Sequence, residues 1–210
     1  MDYAAYFFDF DYTLAFSEPG ILACFKHTFA VFGVQADDEA IIKTIGIPLV
    51  DALAQLSGFS GDIIEQMHAE YKRHADAVMT KLTRFYPEAV TLLGVLKERG
   101  KKVAVISNKI TRRIYEALDR DSLTDKVSLV LGIDDLPSPK PAPDGIQKAA
   151  ALLGVGRQEI LYIGDNLVDA KTAQNAGVDF AAVTTGTTTQ AEFAALPHVK
   201  ICDTLAALLD

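Results

Sequence analysis

The sequence predicts an α/β fold in which an open parallel sheet is interrupted by a helical insertion. Short apolar runs recur along the chain, and after position 84 they alternate with stretches of helical periodicity. The long segment from position 18 to about 84 contains no such run. Alternating strands and helices are typical of β-α-β units, whose strands pair in parallel and are buried on both faces.

Each predicted strand is an apolar run short enough to cross a buried sheet. The six runs are residues 4–9, 102–107, 128–131, 160–164, 179–183 and 199–202. The helical patterns between them are residues 88–99, 110–118, 143–153, 167–176 and 190–196. We therefore expect an open sheet of parallel strands connected by helices.

The insertion has apolar residues at helical spacing instead of strand-like runs. They include Ile21, Leu22, Phe25, Phe29 and Phe32. We expect these aromatic residues to form the insertion's own core. The predicted division is residues 1–15 and 85–210 for the α/β core and 16–84 for the helical domain, whose two connections could act as hinges.

Composition limits the classes of partner. The 210 residues are half hydrophobic, enough for one core and a smaller unit. With 28 acidic and 20 basic residues, the net charge of −8 disfavours nucleic acid and anionic membranes. Cys24 and Cys202 lack metal-ligand spacing, and no signal-like or membrane-spanning stretch is present. A cytoplasmic protein with reduced thiols is expected.

Carboxylates follow two of the predicted strands. Asp9 and Asp11 end the first run, where ligands bind open α/β sheets. Asp165 and Asp169 follow the run that ends at Gly164, four residues apart at the start of a helix. Asp165 alone could equally be a helix N-cap. Four carboxylates at one sheet edge instead favour a hard divalent cation, and Mg²⁺ suits a few carboxylates with water and a phosphate.

Two other strand ends carry groups suited to an anion. Ser107 and Asn108 follow the second predicted strand, although either residue could simply cap the next helix. Lys140 lies between Pro139 and Pro141, so the backbone around this cation has little freedom. Its ammonium could bind phosphate and reduce repulsion between a phosphorylated substrate and Asp9.

Four elements occur in a fixed order: Asp9-x-Asp11-x-Thr13, then Ser107, then Lys140 before Pro-x-Pro, then Gly164-Asp165-x-x-x-Asp169. Together they resemble the motifs of the haloacid dehalogenase superfamily, over nearly the whole chain. The helical insertion resembles that family's small α-helical cap, and residues 44–49 are similar to a cap segment of the phosphoglycolate phosphatase-like branch. The resemblance implies a Rossmann-like core carrying an inserted cap.

The resemblance also implies roles for the motif residues. Asp9 would be the nucleophile that forms an aspartyl-phosphate, and Asp11 the acid and base. Mg²⁺ would be held by Asp9, the Asp11 backbone carbonyl and Asp165, with Asp169 in support. The residues expected around the phosphoryl oxygens are Thr13, Ser107, Asn108 and Lys140. For substrate specificity the candidates in the cap are Lys43, Gly46 and Pro48.

One motif residue narrows the predicted chemistry, and two positions depart from the family pattern. Asp11 disfavours halide displacement, because relatives with that chemistry need no proton donor and lack this residue. Tyr12 stands where the family usually has glycine, and a positive φ there would strain a tyrosine. Phe16 stands where many relatives have aspartate. We expect Tyr12 to be tolerated.

The predicted activity is Mg²⁺-dependent hydrolysis of a small phosphorylated metabolite, with phosphoglycolate as the leading candidate. A sugar-phosphate mutase of the β-phosphoglucomutase kind stays open, because mutases share both aspartates and a similar cap. A binding or regulatory protein without turnover is the alternative from another class. We expect no nucleic-acid or membrane partner, and either a monomer or a homodimer.

Overall fold

The computed structural model describes residues 2–209 and contains a six-stranded, all-parallel sheet. The strands of the chain are β1 (Ala5–Phe8), β2 (Ala15–Phe16), β3 (Arg84–Phe85), β4 (Lys102–Ile106), β5 (Leu129–Leu131), β6 (Ile160–Gly164), β7 (Asp179–Val183) and β8 (Lys200–Cys202). In the main sheet their order is β5-β4-β1-β6-β7-β8. This confirms the predicted fold class, and the predicted strands are present with ends displaced by at most one residue.

Strand β1 is the centre of the sheet. Its four residues are fully or almost fully buried, and it pairs with β4 on one side and β6 on the other. Phe8 is aligned with Val105 and with Ile163. Because the chain first builds outward through β4 and β5 and then returns to β6, the order of strands reverses beside β1. Open α/β sheets bind ligands in the crevice at such a point.

Helices cover the two faces of the sheet and form the insertion. The helices are α1 (Glu18–Phe32), α2 (Asp38–Ile42), α3 (Leu49–Ser57), α4 (Asp62–Leu82), α5 (Pro87–Glu98), α6 (Thr111–Arg120), α7 (Asp144–Leu153), α8 (Leu167–Ala176) and α9 (Gln190–Ala194). Alternating side chains of β1 supply both cores: Tyr6 and Phe8 pack in one cluster, Phe7 in the other. The strand is apolar throughout because it is buried on both sides.

The four helices α1 to α4 pack around a third hydrophobic cluster. Phe25 and Phe29 are buried in it and Phe32 packs against it, as the spacing indicated. Where the chain leaves and re-enters the core, β2 and β3 form a two-residue antiparallel ladder. The sequence did not indicate this pairing, because two residues are too few to show strand periodicity. Within residues 2–209, no helix has the length and apolar character needed to span a membrane.

Candidate active site

The carboxyl ends of the three central strands meet at one edge of the sheet. Asp9 follows β1, Ser107 follows β4, and Asp165 follows β6. The backbone N–H of Asp9 donates to the Ile163 carbonyl at 2.9 Å, so strand pairing continues as far as this residue. The Asp9 carboxylate therefore projects from the end of the buried central strand.

Three buried carboxylates cluster at this edge. Asp9, Asp165 and Asp169 each offer an oxygen atom within 4.8 Å of the others. The N-cap of α8 is Asn166, whose side chain accepts from the Val168 N–H at 3.0 Å. Asp165 is therefore not the cap, and its Oδ1 accepts a 3.0 Å hydrogen bond from the Thr13 hydroxyl. This excludes the alternative in which Asp165 only begins a helix.

Lys140 is the cation of the cluster. Its Nζ lies 2.8 Å from Asp9 Oδ1 and 2.5 Å from Asp169 Oδ1, and its side chain is buried. Asn108 fixes the lysine backbone from both directions: Asn108 Oδ1 accepts from the Lys140 N–H at 2.9 Å, and Asn108 Nδ2 donates to the Lys140 carbonyl at 3.3 Å. The backbone that carries the ammonium is therefore held by hydrogen bonds as well as by its flanking prolines.

The electrostatics of the cluster reflect one ammonium shared by three carboxylates. Burial, and then Asp169 and Asp11, raise the pKa of Asp9 to about 6 against the opposing effect of Lys140. Burial, Asp169 and Asp9 likewise hold the pKa of Asp165 well above its usual range. Burial would lower the pKa of Lys140, but the Asp169 and Asp9 carboxylates outweigh it and raise that pKa. The site lacks positive charge.

These features fit a divalent cation. Among the described residues, Asp9 Oδ1 is a buried oxygen that accepts no hydrogen bond of good geometry, although the Lys140 ammonium is close to it. Hard cations such as Mg²⁺ bind carboxylate oxygens and relieve repulsion of this kind. A Cβ atom at Gly186 would overlap Asp165 Oδ2, and one at Gly164 would overlap the Asp169 carboxyl group. Glycine at both positions lets the carboxylates sit close to the backbone.

Asp11 is not part of the carboxylate cluster and has other partners. Lys109 Nζ lies 2.8 Å and 3.0 Å from its two oxygens, and the Ser17 hydroxyl donates to one of them. Of the four carboxylates expected at one cation, only Asp9, Asp165 and Asp169 cluster. Metal binding by the Asp11 backbone carbonyl stays a prediction. Asp11 is among the residues that line a cavity of about 330 Å³ between the α/β core and the insertion.

Ser107 and Asn108 do not cap α6, whose N-cap position is Ile110. The Ser107 hydroxyl accepts from the Lys109 N–H at 3.3 Å, and Asn108 Nδ2 donates to the Gly46 carbonyl at 3.0 Å. The capping alternative is therefore excluded. The amide of Asn108 joins the insertion to the site.

The cap candidates divide into two groups. Gly46 and Pro48 line the same cavity as Asp11, and the φ of Gly46 is 103°, a value that favours glycine. Lys43 instead lies on the surface, where its Nζ is 2.7 Å from Glu39 and its side chain is 65% exposed. Glu39 precedes it by one helical turn, so a local partner occupies this ammonium.

Comparison with known proteins agrees with this geometry. A family model described as haloacid dehalogenase-like hydrolase matches residues 6–183. The chain belongs to this family. A structure described as a haloacid dehalogenase-like hydrolase from Bacteroides fragilis superposes on the hydrolase with a TM-score of 0.95 at 38% identity, covering 99% of this chain and 100% of the other.

Two curated relatives of this hydrolase carry more specific names. A pyrophosphatase PpaX of Halalkalibacterium halodurans is 32% identical over 178 residues, which are 84% of this chain and 81% of the relative. A phosphoglycolate phosphatase of Cereibacter sphaeroides is 34% identical over 187 residues, 85% and 84% of the two chains. The predicted family and the predicted phosphatase class of enzyme are thereby confirmed.

Sequence reasoning missed two polar groups of the hydrolase's site. The Tyr162 hydroxyl, in the middle of β6, lies 3.1 Å from Asp169 Oδ1 and 3.2 Å from Lys140 Nζ. A tyrosine within an otherwise apolar buried strand was the available signal, since a buried hydroxyl needs a partner. The second missed group is the Lys109 ammonium. The position of Lys109 immediately after Ser107 and Asn108 could have indicated that it lies near the site.

Proposed function

We propose that this hydrolase is a Mg²⁺-dependent phosphatase in which Asp9 is the nucleophile. The observation that carries the proposal is the Asp9 carboxylate itself: buried at the end of the central strand, 2.8 Å from the Lys140 ammonium, and within 4.8 Å of two further carboxylates. A carboxylate surrounded in this way can accept a phosphoryl group while nearby positive charge offsets the charge of the incoming oxygens.

The metal ligands in this proposal are Asp9, the backbone carbonyl of Asp11 and Asp165. Bound there, Mg²⁺ would neutralise charge on the transferring phosphoryl group. Asp169 contacts a neighbouring site residue and the backbone: its Oδ1 accepts from the Lys140 ammonium, and its Oδ2 accepts from the Asn166 N–H at 3.1 Å. Asp169 thereby orients the lysine.

In the first step an Asp9 oxygen attacks phosphorus, and the bond from phosphorus to the ester oxygen breaks. Asp11 gives a proton to the departing alkoxide. In the second step Asp11 takes a proton from water as the water oxygen attacks phosphorus, and the Asp9–phosphorus bond breaks to release inorganic phosphate. Such positioned proton transfer contributes about 10²–10⁴-fold.

The remaining motif residues bind the phosphoryl oxygens in both steps. Lys140 supplies a full charge and Ser107 a hydroxyl donor. Thr13 and Asn108 would donate after giving up their present bonds, Thr13 to Asp165 and Asn108 to the Gly46 and Lys140 carbonyls. Thr13 is held next to the cluster by its hydrogen bond to Asp165. The helical insertion would form a cap domain comprising residues 16–84, which covers this site and excludes water from the first step.

The substrate class in this proposal is a small phosphorylated metabolite, and the names of the relatives support phosphate esters or anhydrides. Phosphoglycolate is the reference ester because it was the first candidate from the sequence. The cytoplasmic location and the monomeric or homodimeric state stay predictions.

The decisive experiment measures phosphate release from a panel of small phosphate monoesters. It compares the protein with Mg²⁺, the protein with EDTA, and Asp9→Asn with Mg²⁺. We expect release that requires the metal and falls by roughly 10⁴–10⁶-fold in Asp9→Asn. The control is thermal unfolding: Asp9→Asn must show a cooperative unfolding transition, as the unsubstituted protein does.

Two results would redirect the proposal. Interconversion of hexose 1- and 6-phosphates without net phosphate release would identify a mutase. Absence of turnover on every ester, from folded protein with Mg²⁺, would leave a binding or regulatory role.

A further inference from the structure

The 330 Å³ cavity between the α/β core and the insertion begins at the residue proposed to protonate the leaving group. Asp11 and Ser107 belong to its lining, and the insertion contributes residues 44–50. A proton donor must lie within hydrogen-bond reach of the oxygen that departs. A leaving group that Asp11 protonates would therefore extend into this cavity. Its volume is within the roughly 300–1,000 Å³ of small-molecule pockets.

The walls of the cavity are mostly apolar. Helix α1 contributes Ile21 and Phe25, the segment before α3 contributes Ile47, and α4 contributes Ala75 and Met79. Ile21, Phe25, Ala75 and Met79 are also members of the buried hydrophobic cluster of the insertion. An alcohol with hydrocarbon groups would replace water against these side chains, which is favourable.

The two cations that the core offers to the cavity already have carboxylate partners. Lys109 contacts both oxygens of Asp11. The Arg113 guanidinium donates to Asp76 and, at 2.8 Å, to Glu116, and its side chain is only 5% exposed. Neither cation is available to a carboxylate of the substrate unless it gives up its present partner.

The other polar groups of the lining do not change this conclusion. Burial, and then Lys72, lower the pKa of His68, which disfavours the charged imidazolium. Lys72 is exposed to solvent, and Asp134 adds negative charge. The carboxylate of glycolate would lose hydration here without gaining a fixed cation, and that is costly. Glycolate would also leave most of the cavity unfilled.

We propose that this hydrolase selects phosphate monoesters of uncharged alcohols that carry an apolar body larger than glycolate, and that the apolar body binds in the cavity beside Asp11. This inference rests on the proposed phosphatase function. It adds the class of the leaving group. Each methylene group that enters an apolar pocket is worth about 3- to 10-fold in kcat/KM.

The test uses esters of primary alcohols, so that leaving-group reactivity varies little among the neutral members: ethyl, butyl, 3-methylbutyl and cyclohexylmethyl phosphate, with phosphoglycolate as the anionic member. We expect kcat/KM with Mg²⁺ at pH 7.5 to rise by about 10-fold or more from ethyl to 3-methylbutyl phosphate. We expect kcat/KM for phosphoglycolate to be lower than kcat/KM for butyl phosphate. A flat series, or a preference for phosphoglycolate, would overturn this inference while leaving the phosphatase intact. Failure on every ester would overturn both.

Two variants locate the effect in the cavity. Val50 lines it but is 44% exposed, so Val50→Lys adds a cation at the rim with little risk to folding. Because a solvated cation at the rim interacts weakly, we expect this variant to shift the ratio of kcat/KM values, 3-methylbutyl phosphate to phosphoglycolate, by about 3-fold toward phosphoglycolate. Ala75→Leu reduces the volume, and it should lower kcat/KM for 3-methylbutyl phosphate more than for ethyl phosphate.

The matched control for Ala75→Leu is Ala69→Leu, on the exposed face of the same helix and outside the cavity lining. It should leave the ratios unchanged. If Ala75→Leu fails to fold, the ratio of kcat/KM values for 3-methylbutyl phosphate and phosphoglycolate in Val50→Lys still tests the proposal. An unchanged ratio in folded Val50→Lys would contradict the assignment of this cavity to the leaving group.

Discussion

The Lys109 ammonium lies 2.8 Å and 3.0 Å from the two carboxylate oxygens of Asp11. Both side chains are about nine-tenths buried, and Lys109 Nζ also lies 5.8 Å from the centre of the Phe10 ring. This ion pair holds the Asp11 side chain, and Asp11 lines the cavity between the core and the insertion. We therefore expect Lys109 to position the proposed proton donor.

Replacing Lys109 should impair turnover through Asp11. We expect Lys109→Met to lower kcat by about 10-fold, because Asp11 loses a charge-assisted contact that orients it. In an Asp11→Asn background the same replacement should have little further effect. A double-mutant cycle on kcat measures this dependence. Equal losses in both backgrounds would show that Lys109 acts on something other than Asp11.

Asp11→Asn should affect poor leaving groups more than good ones. With an alkyl phosphate we expect a loss of about 10²–10⁴-fold in kcat, because the alkoxide departs without a proton. With 4-nitrophenyl phosphate the loss in the first step should be smaller, since nitrophenolate needs no proton. Single-turnover rates of alcohol or phenol release isolate this step from hydrolysis of the intermediate. Identical losses on both esters would contradict the assignment of Asp11 as acid.

The apparent affinity for Mg²⁺ should fall as the pH drops below about 6. The pKa of Asp9 is raised to about 6, so below that pH a proton occupies the carboxylate and the cation must displace it. The decline should approach about 10-fold per pH unit for each proton displaced. Titration of MgCl₂ against the unfolding temperature at pH 5.0 and 7.5 measures the effect.

The same raised pKa predicts the stability of the metal-free protein. Folded Asp9 binds a proton more readily than unfolded Asp9, so the free energy of unfolding falls as the pH rises from 3.8 to about 6. We expect Asp9→Asn to remove this part of the pH dependence and to stabilise the metal-free protein at pH 7.5, by on the order of 3 kcal/mol. Urea unfolding in EDTA at both ends of the range checks it. If the free energy of unfolding depended on pH in the same way in the unsubstituted protein and in Asp9→Asn, the result would contradict the raised pKa.

Tyr12 should stabilise the protein although its backbone is strained. Its φ is 59°, in the left-handed region, but its side chain is 5% exposed, packs with the insertion's hydrophobic cluster and donates to Glu18. Relief of the strain in Tyr12→Gly is worth about 1–2 kcal/mol, less than the 3–5 kcal/mol of a lost buried aromatic. We expect a net loss of about 2 kcal/mol in the free energy of unfolding, measured by urea. Tyr12→Phe separates the hydroxyl from the ring.

The sequence by itself determined the sheet and the residues at its edge. An apolar run that ends in a carboxylate marks both a buried strand and the point where it leaves the core. Parallel strands end at a common edge, so Asp9 and Asp165 had to approach each other once the strands were recognised. Lys140 and Asp169 could be added from the resemblance because their motifs are short and local.

Only the tertiary structure decided how these side chains are paired and what surrounds them. Lys109 and Asp11 are 98 residues apart, and Arg113 meets Asp76 across the junction between core and insertion. Local periodicity predicts neither pairing, because both pairings depend on how the helices of the insertion pack against the core. The apolar cavity beside Asp11 arises from that same packing, so the leaving-group class that we propose could not be predicted from the sequence motifs.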